Sequence, residues 1–168
     1  MIAKRLKLPL YVAFIDLEKV YDRVDRVKML QSLIRKGLGK QMLRALVNMY
    51  GLTFSFIMGC GELQSTSGIR QGATSSSYVF ILFINDIIEH INSLYRSDGF
   101  LNGINILFHA DDALILATSH EKLKEKLNSL DEKLTEMSLK MNYKKCKFMC
   151  FDGIFAKEHH LQFFCLCF

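Results

Sequence analysis

Asp111 and Asp112 stand side by side in "FHADDALIL" (Phe108–Leu116), a stretch that is otherwise apolar apart from His109. A carboxylate is tolerated in a protein interior only when it is paired, hydrogen-bonded or bound to a metal. A fold that accepts this segment must therefore bury the apolar residues on both sides and leave the acids at an edge or turn. Two short apolar runs in "GINILFHADDALILAT" meet near the pair, which predicts a β-hairpin with the aspartates close to its tip. Turn chemistry alone would account for an isolated pair, because aspartate side chains bond nearby backbone.

The remaining segments set the context. "LYVAFIDL" (Leu10–Leu17) reads as a buried strand. Asp25 caps a helix with Val27, Leu30 and Ile34 on one face, ending at Gly37. A second helix, Lys40–Tyr50, carries Leu43, Leu46, Val47 and Tyr50, and "FSFIMGCGELQST" reads as a hairpin. A long helix from Ser75 to Tyr95 is apolar nearly all round in its first half, which places it at the centre of the core. Thr118 and Glu121 form a capping box for a helix whose stripe is Leu123, Leu127, Leu130, Leu134 and Met137. "LKMNYKKCKFMCF" closes as a strand. This order predicts an α+β domain, an antiparallel sheet with helices packed on one face.

Composition narrows the class. A chain of 168 residues, half of them apolar and 23% charged, fits one globular domain. The longest apolar run, "YVFILFI", is far short of the ~20 residues of a membrane span. Asp16 interrupts the apolar start too early for a secretory signal, so the chain reads as intracellular, nuclear or cytoplasmic. Five cysteines without a regular framework suit a reducing compartment. Cys146, Cys150, His159, His160, Cys165 and Cys167 do not follow the spacing of a zinc knuckle. The net charge of +5 is compatible with a polyanionic partner.

Asp16 ends the first apolar strand. With that strand beside the hairpin, Asp16, Asp111 and Asp112 would converge at one end of the sheet. Like charges so close raise one another's pKa, and divalent cations resolve the conflict. Two hard ions roughly 4 Å apart suit phosphoryl transfer. One would activate an attacking hydroxyl and the other would hold a leaving diphosphate. Magnesium is the expected ion, with manganese as a substitute.

"FIDLEKVYDRV", "GIRQGATSSSYVFILFINDI", "HADDALIL" and "SLKMNYKKCKFM" follow the order and spacing of the palm motifs of reverse transcriptases, and resemble those of non-LTR (LINE-type) retrotransposons, from about Leu8 to Phe151. The resemblance implies a polymerase palm with a ferredoxin-like core and an RNA-directed DNA polymerase, a nucleotidyltransferase of a transposable element. It implies an RNA template, a DNA primer and deoxynucleoside triphosphates as partners. Asp16 and Asp111 would be the principal metal ligands and Asp112 the third carboxylate, joined by the backbone carbonyl of Leu17. Tyr21 would crowd the sugar 2′ position and so reject ribonucleotides. Gln71 would touch the incoming nucleotide, Gly72 would admit close backbone approach, and Arg70 would meet phosphate. Lys144 or Lys145 would lie near the triphosphate, Lys145 as the proton donor to the leaving group.

Departures temper these expectations. The family's proline-rich turn after "RQG" is replaced by "ATSSS", and His109 stands where the family has Tyr or Phe. No residues resembling fingers precede the first palm strand, and 152–168 resembles no thumb and is left unassigned beside a palm domain at 1–151. A palm without those parts has little grip on its duplex, so weak or absent polymerase activity is expected of this chain alone. The alternative is an inert retroelement relic or a weak nucleic-acid-binding protein. An RNA-dependent RNA polymerase or nucleotide cyclase is disfavoured by Tyr21 and "RQG". Oligomeric state is not legible in the sequence.

Overall fold

The computed structural model describes residues 8–51, 54–57, 61–64, 67–70, 74–96, 98–151 and 164–165. These form two compact units: Met1–Glu18, Ile87–Glu136 and Lys140–Phe168 in the first, and Lys19–Asp86 with Met137–Leu139 in the second. No helix among the described residues is long and apolar enough to cross a membrane.

The first unit is built on strands β1 (Leu10–Asp16), β4 (Ile106–His109), β5 (Asp112–Ala117), β6 (Lys147–Phe151) and β7 (Phe164–Cys165). They form one sheet in the order β4-β5-β1-β6-β7, with every pairing antiparallel. The first four strands in chain order thus lie as second, third, first and fourth, which is the ferredoxin-like arrangement. Period-two alternation divides the sheet into faces. Ala13 and Ile15 are buried together with their partners Ile115 and Ala113, and with Ile106 and Ala117. Two helices supply further buried residues of this unit. α4 (Thr74–Leu94) contributes Ile87 and Ile91, and α5 (His120–Glu136) contributes Leu123, Leu127, Leu130 and Leu134. The opposite face is open near the Asp16 end of β1, with Phe14 40% and Leu107 51% exposed, while Val12 and its partner Met149 are buried on it.

The start of α5 lies one residue later than the capping box suggests. Ser119 Oγ accepts the Lys122 N–H at 3.2 Å, while the Thr118 hydroxyl donates to Asp98 instead. Asp98 itself is buried against Lys126, whose ammonium is fully enclosed. Its three donors meet the Asp98 carboxylate, Asn105 Oδ1 at 2.7 Å and the Leu116 carbonyl at 2.7 Å. Sequence reasoning missed this cluster, since nothing in the local pattern sets Lys126 apart from the other lysines of its helix.

The second unit holds α1 (Val20–Arg23), α2 (Arg26–Arg35), α3 (Lys40–Gly51), the hairpin β2 (Phe54–Ile57) and β3 (Gly61–Gln64), and the first half of α4. Asp25 caps α2 as the sequence predicts, accepting the N–H groups of Val27 and Lys28 at 2.9 and 3.1 Å. The buried face differs from the expected one. Val27 and Ile34 are 64% and 57% exposed, and Met29, Ser32 and Leu33 point inward. Two apolar stripes compete on this helix, and polar contacts select between them. Ser32, Arg35 and Lys36 all converge on the Asp86 carboxylate, at 2.6, 2.9 and 2.8 Å. Similarly, α4 is one-sided rather than wholly buried in its first half: Val79, Phe80, Phe83 and Ile84 are enclosed, while Tyr78, Ile81 and Leu82 are exposed.

Candidate active site

The sheet register sets Asp16 directly opposite Asp112. Cross-strand partners share a face, with Cβ atoms about 4.5–5.5 Å apart. His109 is the partner of Asp112 on its other side, so His109, Asp112 and Asp16 form a row across the open face. The next row is Leu107, Leu114, Phe14 and Lys147. Together these residues line an open cleft of about 770 Å³, completed by Lys144 and Lys145. Polar acids at the rim and an apolar floor follow from the strand period, which brings alternate residues of each strand onto this one face.

The hairpin turn consists of Ala110 and Asp111, since His109 already pairs with Asp112. Ala110 adopts φ 56°, a left-handed conformation that costs a non-glycine residue roughly 1–2 kcal/mol. Ala110→Gly should therefore raise stability by about 1 kcal/mol, less what glycine adds to the freedom of the unfolded chain, and a urea midpoint shift reads it. Asp111 lies in the turn, exposed, one residue outside the Asp112–Asp16 row. Among the described residues no group of three or more His, Cys, Asp or Glu side chains is assembled to hold a metal. Two carboxylates face each other directly; the third is adjacent in sequence but outside that row.

Leu17 follows Asp16 and bridges Met141. The two hydrogen bonds of that bridge run from the Glu18 N–H to the Lys140 carbonyl and from the Asn142 N–H to the Asp16 carbonyl. Neither uses the Leu17 carbonyl. Asn142 then accepts the N–H groups of Lys145 and Cys146, closing a turn whose Cys146 side chain is buried. Tyr143 donates to Asp131 of α5 at 2.8 Å; desolvation and that carboxylate push its phenol up to about 12, so it stays a donor. The expected strand over this segment is thus confined to β6, and the residues before it form the turn that carries the lysines. Lys145 Nζ comes within 3.5 Å of Asp16 Oδ1, and Lys144 lines the cleft.

Tyr21 and Arg70 belong to the second unit. The Tyr21 ring lies 4.7 Å from that of Phe80, and the Tyr21 carbonyl accepts the Ile69 N–H at 2.8 Å. Gly68 makes this approach possible: at φ +84° an added Cβ would meet the Asp22 carbonyl oxygen at 3.0 Å and that of Tyr21 at 3.2 Å. Arg26 braces the same segment, donating to the carbonyls of Gly68 and Tyr50 at 2.8 Å each. Tyr21 and the stretch leading to exposed Arg70 are therefore locked together. Gln71 and Gly72 lie outside the described residues. Gly68 and Arg26 escaped the sequence reading, which placed the close backbone approach at Gly72 alone.

A sequence profile of the reverse transcriptase (RNA-dependent DNA polymerase) family matches residues 1–166. The chain belongs to the reverse transcriptase family. Its relatives include the retrovirus-related Pol polyproteins from type-1 retrotransposable element R2 of Nasonia vitripennis and Bradysia coprophila. The first is 29% identical over 150 residues, covering 84% of this chain and 14% of the relative. The second is 26% identical over 148 residues, covering 86% and 17%. The chain thus spans about a sixth or less of the length of these curated relatives. Apo telomerase from Candida tropicalis shares the fold with a TM-score of 0.69 at 14% identity, over 88% of this chain and 29% of that one. Telomerase from Candida albicans, in complex with a fragment of telomeric RNA, has a TM-score of 0.64 at 13% identity, over 93% and 29%.

Reverse transcriptases as a family use divalent metals. The donor set of this member fits a hard cation. Asp16 and Asp112 offer oxygen ligands from one face of a rigid sheet, and the cleft leaves room for more. Magnesium typically takes one or two protein carboxylates and completes its shell with water and substrate phosphate, so a full protein cage is unnecessary.

Proposed function

We propose that this chain is the catalytic palm of an RNA-directed DNA polymerase of a non-LTR retroelement, acting on an RNA template, a DNA primer and deoxynucleoside triphosphates. The observation that carries this reading is the direct pairing of Asp16 with Asp112 at the rim of a cleft flanked by Lys144, Lys145 and Lys147. Asp16 and Asp112 would hold a pair of magnesium ions, with Asp111 joining from the turn and Leu17 lending its carbonyl. When bound, such ions supply charge neutralisation for a polyphosphate and activation of a hydroxyl nucleophile.

The chain's own residues do the rest. Lys144 and Lys145 present positive charge to the triphosphate side of the cleft, and an ammonium there can give a proton to the departing diphosphate. Arg70, exposed at the end of its braced segment, is suited to a phosphate contact. Tyr21, fixed against Phe80, would exclude a ribonucleotide by bulk alone. Gln71 and Gly72 would complete the nucleotide contact. Palm residues run over 1–151, and Phe164–Cys165 adds a strand to the same sheet.

Binding of a fluorescent deoxynucleoside triphosphate, followed by anisotropy, tests the reading. Magnesium should strengthen binding at least about tenfold in the natural chain and have no effect in Asp16→Asn. Equal binding with and without magnesium would overturn it.

A further inference from the structure

Asp16 and Asp112 face each other as like charges across a strand pair, an arrangement that is unfavourable without a cation. Among the described residues, the cation placed within ion-pairing reach of that pair is Lys145, its Nζ at 3.5 Å from Asp16 Oδ1. Its backbone is held there from several directions. The Asn142 N–H binds the carbonyl of Asp16 itself at 2.8 Å, and the Asn142 carbonyl accepts the Lys145 N–H at 2.9 Å. Tyr143 is tied to α5 through Asp131, and the buried Cys146 anchors the far end of the turn. The lysine side chain remains 68% exposed, open to the cleft that it lines.

We propose that Lys145 is a resident counter-ion for Asp16 that competes with the divalent cation, and that metal binding displaces it toward the phosphate side of the cleft. The proposal rests on the metal-site reading above. It assigns the lysine two successive partners, Asp16 before the cation arrives and the substrate polyphosphate afterwards. A lysine serving only as a late proton donor would have no reason to oppose metal binding.

Manganese affinity of the whole chain, read from the electron paramagnetic resonance signal of unbound Mn²⁺, separates the possibilities. Lys145→Met should bind Mn²⁺ roughly 3- to 10-fold more tightly than the natural chain, because a competing charge is gone. Lys145→Arg, which keeps the charge, should stay near the natural affinity. In the metal-free state Lys145→Met should melt at a lower temperature, and saturating Mn²⁺ should close that gap. Unchanged or weaker Mn²⁺ binding by Lys145→Met, with normal binding by the natural chain, overturns the counter-ion role and leaves the metal site standing. Absence of Mn²⁺ binding in both overturns the two together.

Discussion

Replacing Lys126 with methionine is expected to lower the unfolding free energy by about 3–5 kcal/mol, because it removes one partner of a buried ion pair. The Lys126 ammonium is fully buried and all three of its donors are used, on Asp98, Asn105 and the carbonyl of Leu116. Methionine fills similar space but removes the lysine's donors from the Asn105 oxygen and the Leu116 carbonyl and leaves the buried Asp98 carboxylate with Lys122 and Thr118 alone. Lys122 also reaches Asp98, at 2.7 Å, but its side chain is 44% exposed, so Lys122→Met should cost at most about 1 kcal/mol. Urea denaturation of the two variants makes the comparison.

The same cluster predicts an acid limb. Burial pushes the Asp98 carboxyl up, and hydrogen bonds from Lys122, Lys126 and Thr118 outweigh it, bringing the group from 3.8 down to about 2. A depressed carboxyl contributes stability that is full above its unfolded value and lost as pH falls through its folded one. Stability should therefore drop by about 2 kcal/mol between roughly pH 5 and pH 2 in the natural chain. Burial acts oppositely on Lys126, holding its ammonium below the ordinary lysine value, so the acid-side loss belongs to Asp98. A flat stability profile over that range, or a Lys126→Met variant as stable as the natural chain, would contradict this account.

Asp112→Asn should reduce divalent-metal affinity at least about 100-fold, since losing even a supporting partner of a metal ligand commonly costs 10–100-fold. Asp16→Asn should match it, because the register gives the two carboxylates equivalent places in one row. Asp111→Asn, altered in the turn outside that row, should lose less. Without metal the sign reverses. Removing one of two opposed like charges should stabilise the sheet by about 0.2–1 kcal/mol, so Asp112→Asn should melt slightly higher in chelator and lower in saturating magnesium. Melting in chelator and in magnesium checks both halves; a variant that melts lower in both would point to a merely structural aspartate.

Strand and helix placement was legible where an apolar run or a single helical stripe stood out. Leu10–Leu17 is a short β-rich apolar run of strand length, and the Leu123–Met137 stripe is buried at every position named. Helix faces were less legible where two stripes coexist, as in α2, because the choice depends on Asp86, some fifty residues away in the chain. The meeting of Asp16 with Asp112 followed from motif order, but its exact register needed the sheet. Lys145 was named for its place beside a triphosphate; its contact with Asp16 depends on the Asn142 turn, which the sequence disguised as strand. Asp98 and Lys126 gave no signal, since burial of a lysine is a property of the packed fold and not of its local pattern.

The most direct test of the central claim is a double-mutant cycle on Mn²⁺ affinity, measured by titration calorimetry with the natural chain, Asp16→Asn, Asp112→Asn and the double variant. If the two carboxylates hold one site, each single change should remove most of the binding and the double change should add little. Fully additive losses, or Mn²⁺ affinity untouched by either substitution, would contradict it.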